Sequence, residues 1–327
     1  MLWTCFFLID IIMSGITPIE KYIYLRKVLQ DSTFFIFMIA SSNTSKKQQT
    51  INSSISLSGV GLHSGKKVAI NIEPAEINNG IRFIRTDQKN SNIINALWSN
   101  VTSTNLCTTI ANKEGASVST IEHLMSALSG MHIDNVNILI DGPEVPIMDG
   151  SSLPFVELFE SKGIVKQEID RQIILIEKEV VVTKGDSFTK ILPDKQFAIN
   201  FEIEFASHLV NKQACQLQLV NGNYKKDISF ARTFGFEKDV DYLRANGFAL
   251  GGSLENAVVV GDKKILNKEG LRFEDEFVRH KMLDSIGDLY LAGKPIQGYF
   301  YGKKSGHFLN IKLLRKMFSD KSNFKII

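Results

Sequence analysis

Short runs of strand-forming residues, separated by turn residues, predict β-strands in the first part of the chain. Beyond residue 50, these runs lie at residues 68–72, 81–84, 107–111 and 136–140. Asn78, Asn79 and Gly80 separate two of the runs, because such residues favour turns. The pattern therefore predicts several short strands before the middle of the chain.

Apolar residues that recur every three or four positions predict helices. The clearest such segments are residues 121–128, 153–161 and 275–291. Gly130 and Gly163 follow the first two, and glycine readily takes the left-handed conformation found after many helices. The spacing thus predicts three helices, and the longest lies in the second half of the chain.

Strands precede helices in each half of the chain. In the second half, predicted strands at residues 173–182 and 197–205 come before the 275–291 helix, and one at 298–301 follows it. This order predicts an α+β fold with two domains, each a β-sheet covered by helices. The polar residues 166–171 mark the boundary. The predicted domains are residues 51–168 and 172–327.

Residues 1–50 differ from the rest of the chain. Their two apolar runs, at residues 2–13 and 34–40, are both too short to span a membrane as helices. We expect this segment to be a disordered or non-native extension, with Met38 as an alternative start of translation. A targeting or membrane-associated segment is the competing interpretation.

The composition narrows the classes of function. Hydrophobic residues make up 44% and charged residues 22% of the 327 positions, which is typical of a soluble globular protein. The net charge of +3 comes without dense Lys/Arg runs, so a nucleic-acid partner is not expected. Cys5, Cys107 and Cys215 form no CxxC pair, which argues against a disulfide framework and favours the cytoplasm.

One face of the 275–291 helix concentrates polar residues. Successive residues are rotated by about 100° around a helix axis. With His280 at 0°, Asp284 lies at roughly 40°, Asp288 at roughly 80° and Lys281 at roughly 100°. A His and an Asp one turn apart can bind the same metal ion, and imidazole with carboxylate suits zinc. A solvated helix face would show the same pattern, so this spacing alone leaves both interpretations open.

Glu122 and His123 lie at the start of the first predicted helix. His123 points away from the apolar stripe and has the small neighbours Ser126 and Ala127, which leaves room for a ligand. A Glu beside a metal-binding His could act as a general base. Alternatively, Ser119 and Glu122 fit a capping box, in which the carboxylate only serves the helix backbone. The local sequence does not decide between them.

Two more segments carry histidines. His307 follows the last predicted strand and is either a surface residue or, near a metal, a candidate general acid, since the ordinary pKa of imidazole is near neutral. The glycine-rich residues 59–67 do not match a phosphate-binding loop, because Lys67 stands where Ser or Thr is needed. A tight turn is expected there, and His63 within it is left unassigned.

Six segments together resemble the signature blocks of one enzyme family. They are residues 58–65, 120–124, 146–151, 231–236, 270–284 and 305–307. In this order they resemble the UDP-3-O-acyl-N-acetylglucosamine deacetylases, which are zinc-dependent enzymes of lipid A biosynthesis in Gram-negative bacteria. The resemblance runs from about residue 58 to residue 318. Residues 206–227 and the N-terminal extension depart from the family pattern.

The resemblance implies a metal site and a catalytic set. One zinc ion per chain would be held by His123, His280 and Asp284, with one coordination position left for water. Four further residues would carry proton transfer or stabilise the intermediate. They are Glu122 as general base, His307 as general acid, Asp288 as the carboxylate that keeps His307 charged, and Thr233 as a hydroxyl donor.

The resemblance also implies how the substrate is bound. Lys281 would meet the phosphates, Phe205 the uridine, and Phe234 would belong to an insert at residues 232–260 that lines an acyl-chain passage. The implied reaction removes acetate from UDP-3-O-(3-hydroxyacyl)-N-acetylglucosamine.

The implied architecture is two similar α+β domains with the active site between them. The protein would act as a monomer in the cytoplasm, at most peripheral to the inner membrane. A non-catalytic protein that binds the UDP-sugar or its acyl chain on the same fold is the alternative function.

Overall fold

The computed structural model of the protein describes residues 46–219 and 222–327. The expectation of a disordered or targeting extension over residues 1–50 therefore lies almost entirely outside the described residues. Residues 47–50 are an exception, because they belong to the first strand. Among the described residues, no helix has the length and hydropathy needed to cross a membrane.

Many short strands and six α-helices make up the described part of the chain. The strands are β1 (Lys47–Ile51), β2 (Ile55–Val60), β3 (Lys67–Pro74), β4 (Ile81–Arg85), β5 (Ile93–Asn95), β6 (Val101–Ser103), β7 (Thr109–Ala111), β8 (Ser117–Val118), β9 (Val136–Ile140), β10 (Ile164–Asp170), β11 (Ile174–Ile176), β12 (Val180–Lys184), β13 (Ser187–Leu192), β14 (Phe197–Glu204), β15 (Lys212–Gln218), β16 (Phe234–Phe236), β17 (Val258–Val260), β18 (Ile296–Lys303) and β19 (Phe324–Ile326). The helices are α1 (Glu122–Gly130), α2 (Leu153–Lys162), α3 (Asn223–Asp227), α4 (Val240–Ala245), α5 (Glu276–Tyr290) and α6 (His307–Phe318).

The three predicted helices correspond to α1, α2 and α5. Several strand predictions differ in extent from the structure. The strand predicted at residues 298–301 extends over residues 296–303, for example. The run at residues 107–111 forms a strand only from Thr109, because Thr108 turns into the site described below. The run at residues 173–182 is divided into β11 and β12, because the backbone of Glu177 and Lys178 bonds to Asn323 between them.

The two largest sheets come from different parts of the chain. A five-stranded sheet, in the order β2-β3-β9-β4-β5, is built from residues 55–140. A seven-stranded sheet follows the path β12-β13-β18-β11-β19, with β14 paired to β18 and β15 to β14. Helix α2 contacts the first sheet at β2, whereas α5 and α6 contact the second at β14, β15, β12 and β13. This arrangement confirms the α+β class.

The residues expected to separate two domains form a strand of their own. Strand β10 covers most of the polar stretch at 166–171 and pairs antiparallel with β1. Its side chains are partly or fully exposed, which explains the polar composition of a strand that the sequence did not predict. The division into residues 51–168 and 172–327 stays a prediction.

Helix α1 packs along α5, and this contact joins residues far apart in the chain. Residues 122–128 of α1 are all buried. The polar positions His280, Asp284 and Asp288 of α5 are buried as well. The alternative of a solvated face on α5 is therefore wrong, because that face lies against α1 rather than in water.

Gly287 provides the clearance for this helix contact. A Cβ atom at this position would lie 2.0 Å from the carbonyl oxygen of Glu122 and 2.9 Å from its carbonyl carbon. Since the neighbouring atoms belong to backbone, they cannot turn aside as a flexible side chain would. A side chain at position 287 would push the first turn of α1 away from α5.

Replacing Gly287 with alanine should destabilise the protein. Helix propensity alone favours alanine over glycine by about 1 kcal/mol, so it would increase the free energy of unfolding. The clash with the Glu122 backbone should outweigh this gain and lower the free energy of unfolding by about 1–3 kcal/mol, the usual cost of overpacking. Urea-induced unfolding of wild type and variant measures the difference.

Gly235→Ala is the matched control, since no atom lies within 4 Å of the position its Cβ would take. The free energy of unfolding of this control should stay close to that of the wild type. Equal stability of the two variants would show that the close approach of α1 and α5 is no constraint.

Candidate active site

The three predicted metal ligands meet where α1 packs against α5. His123 is the second residue of α1, and His280 and Asp284 lie one turn apart on α5. The Nε2 atoms of His123 and His280 lie 3.6 Å and 3.3 Å from Oδ1 of Asp284. The two imidazole rings are nearly perpendicular, at 88°, with centroids 5.0 Å apart. One ligand atom from each residue thus lies within 4.8 Å of the other two.

The donor atoms of this cluster fit a metal ion. Asp284 Oδ1 is buried and has no hydrogen-bond partner among the described residues. His280 Nδ1 donates to the carbonyl oxygen of Ala231 at 3.1 Å, so its Nε2 keeps a lone pair directed into the cluster. Two imidazole nitrogens and one carboxylate oxygen are the ligands of many catalytic zinc sites, which keep a fourth position open.

The surroundings hold His280 and Asp284 in the protonation states that bind metal. Burial lowers the pKa of His280 to about 3, so the imidazole is neutral at pH 7. Burial alone would raise the pKa of Asp284, but His280 and Lys281 hold it well below its ordinary value. Lys281 Nζ lies 2.5 Å from Asp284 Oδ2, which leaves Oδ1 for a metal ion.

Glu122, Asp288 and His307 form a second cluster beside the metal ligands. Asp288 lies one turn after Asp284, and His307 is the first residue of α6. His307 Nδ1 donates to Asp288 Oδ2 at 2.8 Å, and its Nε2 lies 3.5 Å from Oε1 of Glu122. The imidazole therefore lies between two buried carboxylates.

The two carboxylates change the acid strength of His307. Burial alone would lower the pKa of His307, but the charges of Asp288 and Glu122 raise it to about 9. The imidazolium is therefore the dominant form at neutral pH. Burial raises the pKa of Glu122, and His307 opposes that effect. A charged acid and a carboxylate with increased proton affinity are suited to exchange protons with a substrate near neutral pH.

Glu122 does not cap the helix that it begins. The backbone N–H of Ser119 donates to Pro143 rather than to Glu122, and no side chain caps this helix end. The Glu122 carboxylate accepts a hydrogen bond from the backbone N–H of Thr108 at 3.1 Å. The capping-box alternative is therefore wrong, because the carboxylate turns into the site.

Two residues that the sequence analysis did not select complete the surroundings of Asp288. Thr108 Oγ1 donates to Asp288 Oδ1 at 2.6 Å, and Asn310 Nδ2 donates to Oδ2 at 2.9 Å. Both residues are fully buried. Asn310 lies one helical turn after His307, so spacing could have suggested it. Thr108 lies in a segment predicted as a strand, where no local signal marks it.

Of the residues expected to contact the substrate, Phe234 lies beside His280. The ring centroid of Phe234 is 6.3 Å from that of His280, and the ring of Phe205 is 5.6 Å from that of Phe234. Thr233 immediately precedes Phe234 in the segment whose Ala231 carbonyl accepts from His280. The aromatic group is completed by Phe236 and Phe277. Phe234 thus lies next to the metal ligand His280, and Phe205 packs against Phe234.

A buried ion pair anchors this segment to α5. Arg232 Nε lies 2.8 Å from Glu276 Oε1, and both side chains are almost completely buried. The backbone N–H of Arg232 donates to the same carboxylate oxygen at 3.0 Å. The first turn of α5 therefore holds the residues on either side of Arg232 close to His280.

The glycine-rich segment wraps a carboxylate. The backbone N–H groups of His63 and Ser64 each donate to the carboxylate of Glu144 at 2.8 Å. A Cβ at Gly61 would lie 2.2 Å from the same carboxylate. The tight turn expected here is confirmed by the hydrogen bond from Gly65 N to Gly61 O at 3.0 Å. His63, which the sequence left unassigned, lies in this turn, and burial lowers its pKa.

Comparisons with known proteins agree with the resemblance noted in the sequence. A protein of Syntrophus aciditrophicus named UDP-3-O-acyl-N-acetylglucosamine deacetylase is 48% identical over 277 residues, covering 85% of this chain and 88% of that protein. A protein of the same name from Shewanella oneidensis is 46% identical over 282 residues, covering 86% and 92%.

The sequence profile of the family described as UDP-3-O-acyl N-acetylglycosamine deacetylase matches residues 48–319, a region that contains every residue of both clusters. Because the match extends over most of the chain and the two relatives cover nearly as much, this chain belongs to the UDP-3-O-acyl N-acetylglycosamine deacetylase family.

Proposed function

We propose that this protein is a zinc-dependent deacetylase that removes acetate from UDP-3-O-(3-hydroxyacyl)-N-acetylglucosamine, the reaction that commits this sugar to lipid A. One observation carries the proposal: the metal-type donors His123, His280 and Asp284 lie beside the proton-transfer groups Glu122 and His307. The family description and the names of the relatives support the same reaction.

His123, His280 and Asp284 would hold one zinc ion per chain. In such a site zinc supplies Lewis-acid chemistry, since it polarises a carbonyl group and makes water easier to deprotonate. The protein prepares the site by keeping His280 neutral and Asp284 ionised. Lys281 balances Asp284 Oδ2, so Oδ1 is the oxygen that would bind the ion.

Hydrolysis of an amide needs a proton removed from water and a proton delivered to the leaving nitrogen. Glu122 would take the first proton, because its carboxylate is directed into the site and burial raises its proton affinity. His307 would enter as the imidazolium and deliver the second proton from Nε2, since Nδ1 is bonded to Asp288. The neutral His307 can then recover the proton held by Glu122, whose Oε1 lies 3.5 Å away.

The remaining residues would bind the substrate. The Thr233 hydroxyl would donate to the oxyanion of the tetrahedral intermediate. Phe234 would contact the acyl chain along the insert at residues 232–260, and Phe205 the uridine. Lys281 would bind the phosphates. Its ammonium group has three N–H donors, so it would donate to a phosphate and to Asp284 at the same time.

We propose that the protein acts as a monomer, because a single chain supplies every group named above. A cytoplasmic location, at most peripheral to the inner membrane, is supported by the free thiols of Cys107 and Cys215. The two predicted domains, residues 51–168 and 172–327, would each contribute one of the two helices at the site.

The purified protein should contain about one zinc ion per chain, as expected for a site with three protein ligands. A chelator should abolish acetate release from the UDP-sugar and added zinc should restore it. His280→Ala should lose the metal, whereas His208→Ala, which replaces an exposed histidine, should keep it. Metal analysis beside the acetate assay measures both. Full activity without metal would contradict the zinc mechanism.

Replacing Glu122 with glutamine should separate catalysis from binding. The amide keeps the shape of the side chain but cannot take a proton, so kcat should fall about 100- to 10,000-fold. Calorimetric titration should show nearly normal affinity for the UDP-sugar. Glu157→Gln, at an exposed position of α2, is the control with normal turnover. Normal turnover in Glu122→Gln would favour a binding protein that does not use this carboxylate.

The pH profile of kcat/KM should report His307. Activity requires the imidazolium, so it should fall as the pH rises through about 9, the pKa of His307. Asp288→Asn removes a negative charge that stabilises the imidazolium, so the alkaline limb should move to lower pH by about 1–3 pH units. Asp262→Asn, an exposed carboxylate, should leave the limb in place. An unchanged limb in Asp288→Asn would exclude His307 as the acid.

A further inference from the structure

Thr108 makes one hydrogen bond to each of the two carboxylates around His307. Its backbone N–H donates to Glu122 Oε2 at 3.1 Å, and its hydroxyl donates to Asp288 Oδ1 at 2.6 Å. Its carbonyl oxygen lies 3.5 Å from the backbone nitrogen of Ile121. The residue is fully buried, so it is fixed at the start of α1 away from solvent.

The hydroxyl bond controls the orientation of the Asp288 carboxylate. The terminal torsion of an Asp side chain is broad, so the carboxylate plane must be fixed by its hydrogen bonds. Asp288 Oδ2 accepts from His307 Nδ1 and from Asn310, whereas Oδ1 accepts from Thr108. With Oδ1 held, Oδ2 stays in line with the imidazole.

The backbone bond acts in the same way on Glu122. It holds Oε2, which leaves Oε1 directed at His307 Nε2, 3.5 Å away. One buried residue therefore holds the carboxylate on each side of the imidazole. Thr108 is 180 positions from Asp288 in the chain, so it ties the region before α1 directly to α5.

We propose that Thr108 is a positioning residue of the deacetylase reaction, which sets His307 and Glu122 at the distance needed to pass protons to and from the substrate. This inference rests on the proposed function. Thr108 touches no reacting atom and acts through Asp288 and Glu122. Its side chain contributes the bond to Asp288, which a substitution can remove while the backbone bond to Glu122 remains.

The test compares Thr108→Val with Thr108→Ser in the zinc-loaded full-length protein. Valine keeps the shape of threonine but has no hydroxyl, whereas serine keeps the hydroxyl. Turnover is measured per zinc-containing folded chain, after thermal unfolding and metal analysis of each variant. We expect Thr108→Val to lower kcat about 10- to 100-fold, as for loss of a hydrogen bond to a charged group, with KM nearly unchanged. Thr108→Ser should recover most of the turnover.

Asp288→Ala provides the second arm. If Thr108 acts through Asp288, adding Thr108→Val to Asp288→Ala should change kcat by no more than about 2-fold, because coupled residues are not additive. Full additivity of the two losses would overturn the proposal. A merely structural hydroxyl would reduce the yield of folded protein but leave kcat per folded chain normal, and that result would overturn it too.

If Thr108→Val does not fold, Thr108→Ala takes its place in the same comparison with Thr108→Ser. If the wild-type protein releases no acetate, the proposed function fails. If the wild type is active and Thr108→Val equals it, only the role of Thr108 fails.

Discussion

The close contact of α1 with α5 is the constraint on which the whole site depends. Helices usually meet through apolar side chains, with their axes about 8–10 Å apart. Here the contact also carries polar side chains. The two helices approach so closely at Gly287 that even a Cβ atom there would collide with the Glu122 backbone. This approach places Glu122 and His123 against the buried polar side of α5, so the metal ligands and the proton-transfer groups share one small volume.

That packing has an electrostatic cost, which the neighbouring groups offset. Glu122, Asp284 and Asp288 are almost completely buried. Burial of an ion without a compensating partner costs on the order of several kcal/mol. His307 lies between two of these carboxylates, and Lys281 pairs with the third. Asp284 Oδ1 has no hydrogen-bond partner among the described residues. A bound cation would remove this penalty, so the arrangement that is unfavourable in the protein alone favours metal binding.

Local sequence was least informative where two hydrogen-bond partners compete for one group. A capping box and a catalytic carboxylate look alike at Glu122, and the choice depends on Thr108, which lies outside the local segment. The glycine-rich turn offers backbone N–H groups of the kind that bind phosphate, but Glu144, far along the chain, occupies them. In both places the chain forms the bonds that satisfy buried polar groups, and the partner comes from tertiary packing.

The sequence by itself determined the α+β class, the helices α1, α2 and α5, and the shared face of His280, Asp284 and Asp288, because helical periodicity is a local property. It did not predict α6, the helix that begins at His307. Its resemblance to a known family also selected His123, Glu122 and His307. Only the tertiary structure decided that these residues meet, that α5 turns its polar face to α1 instead of water, and that Thr108 joins two carboxylates. Contacts between residues so distant in the chain follow from the crossing of whole elements, which no short stretch of sequence specifies.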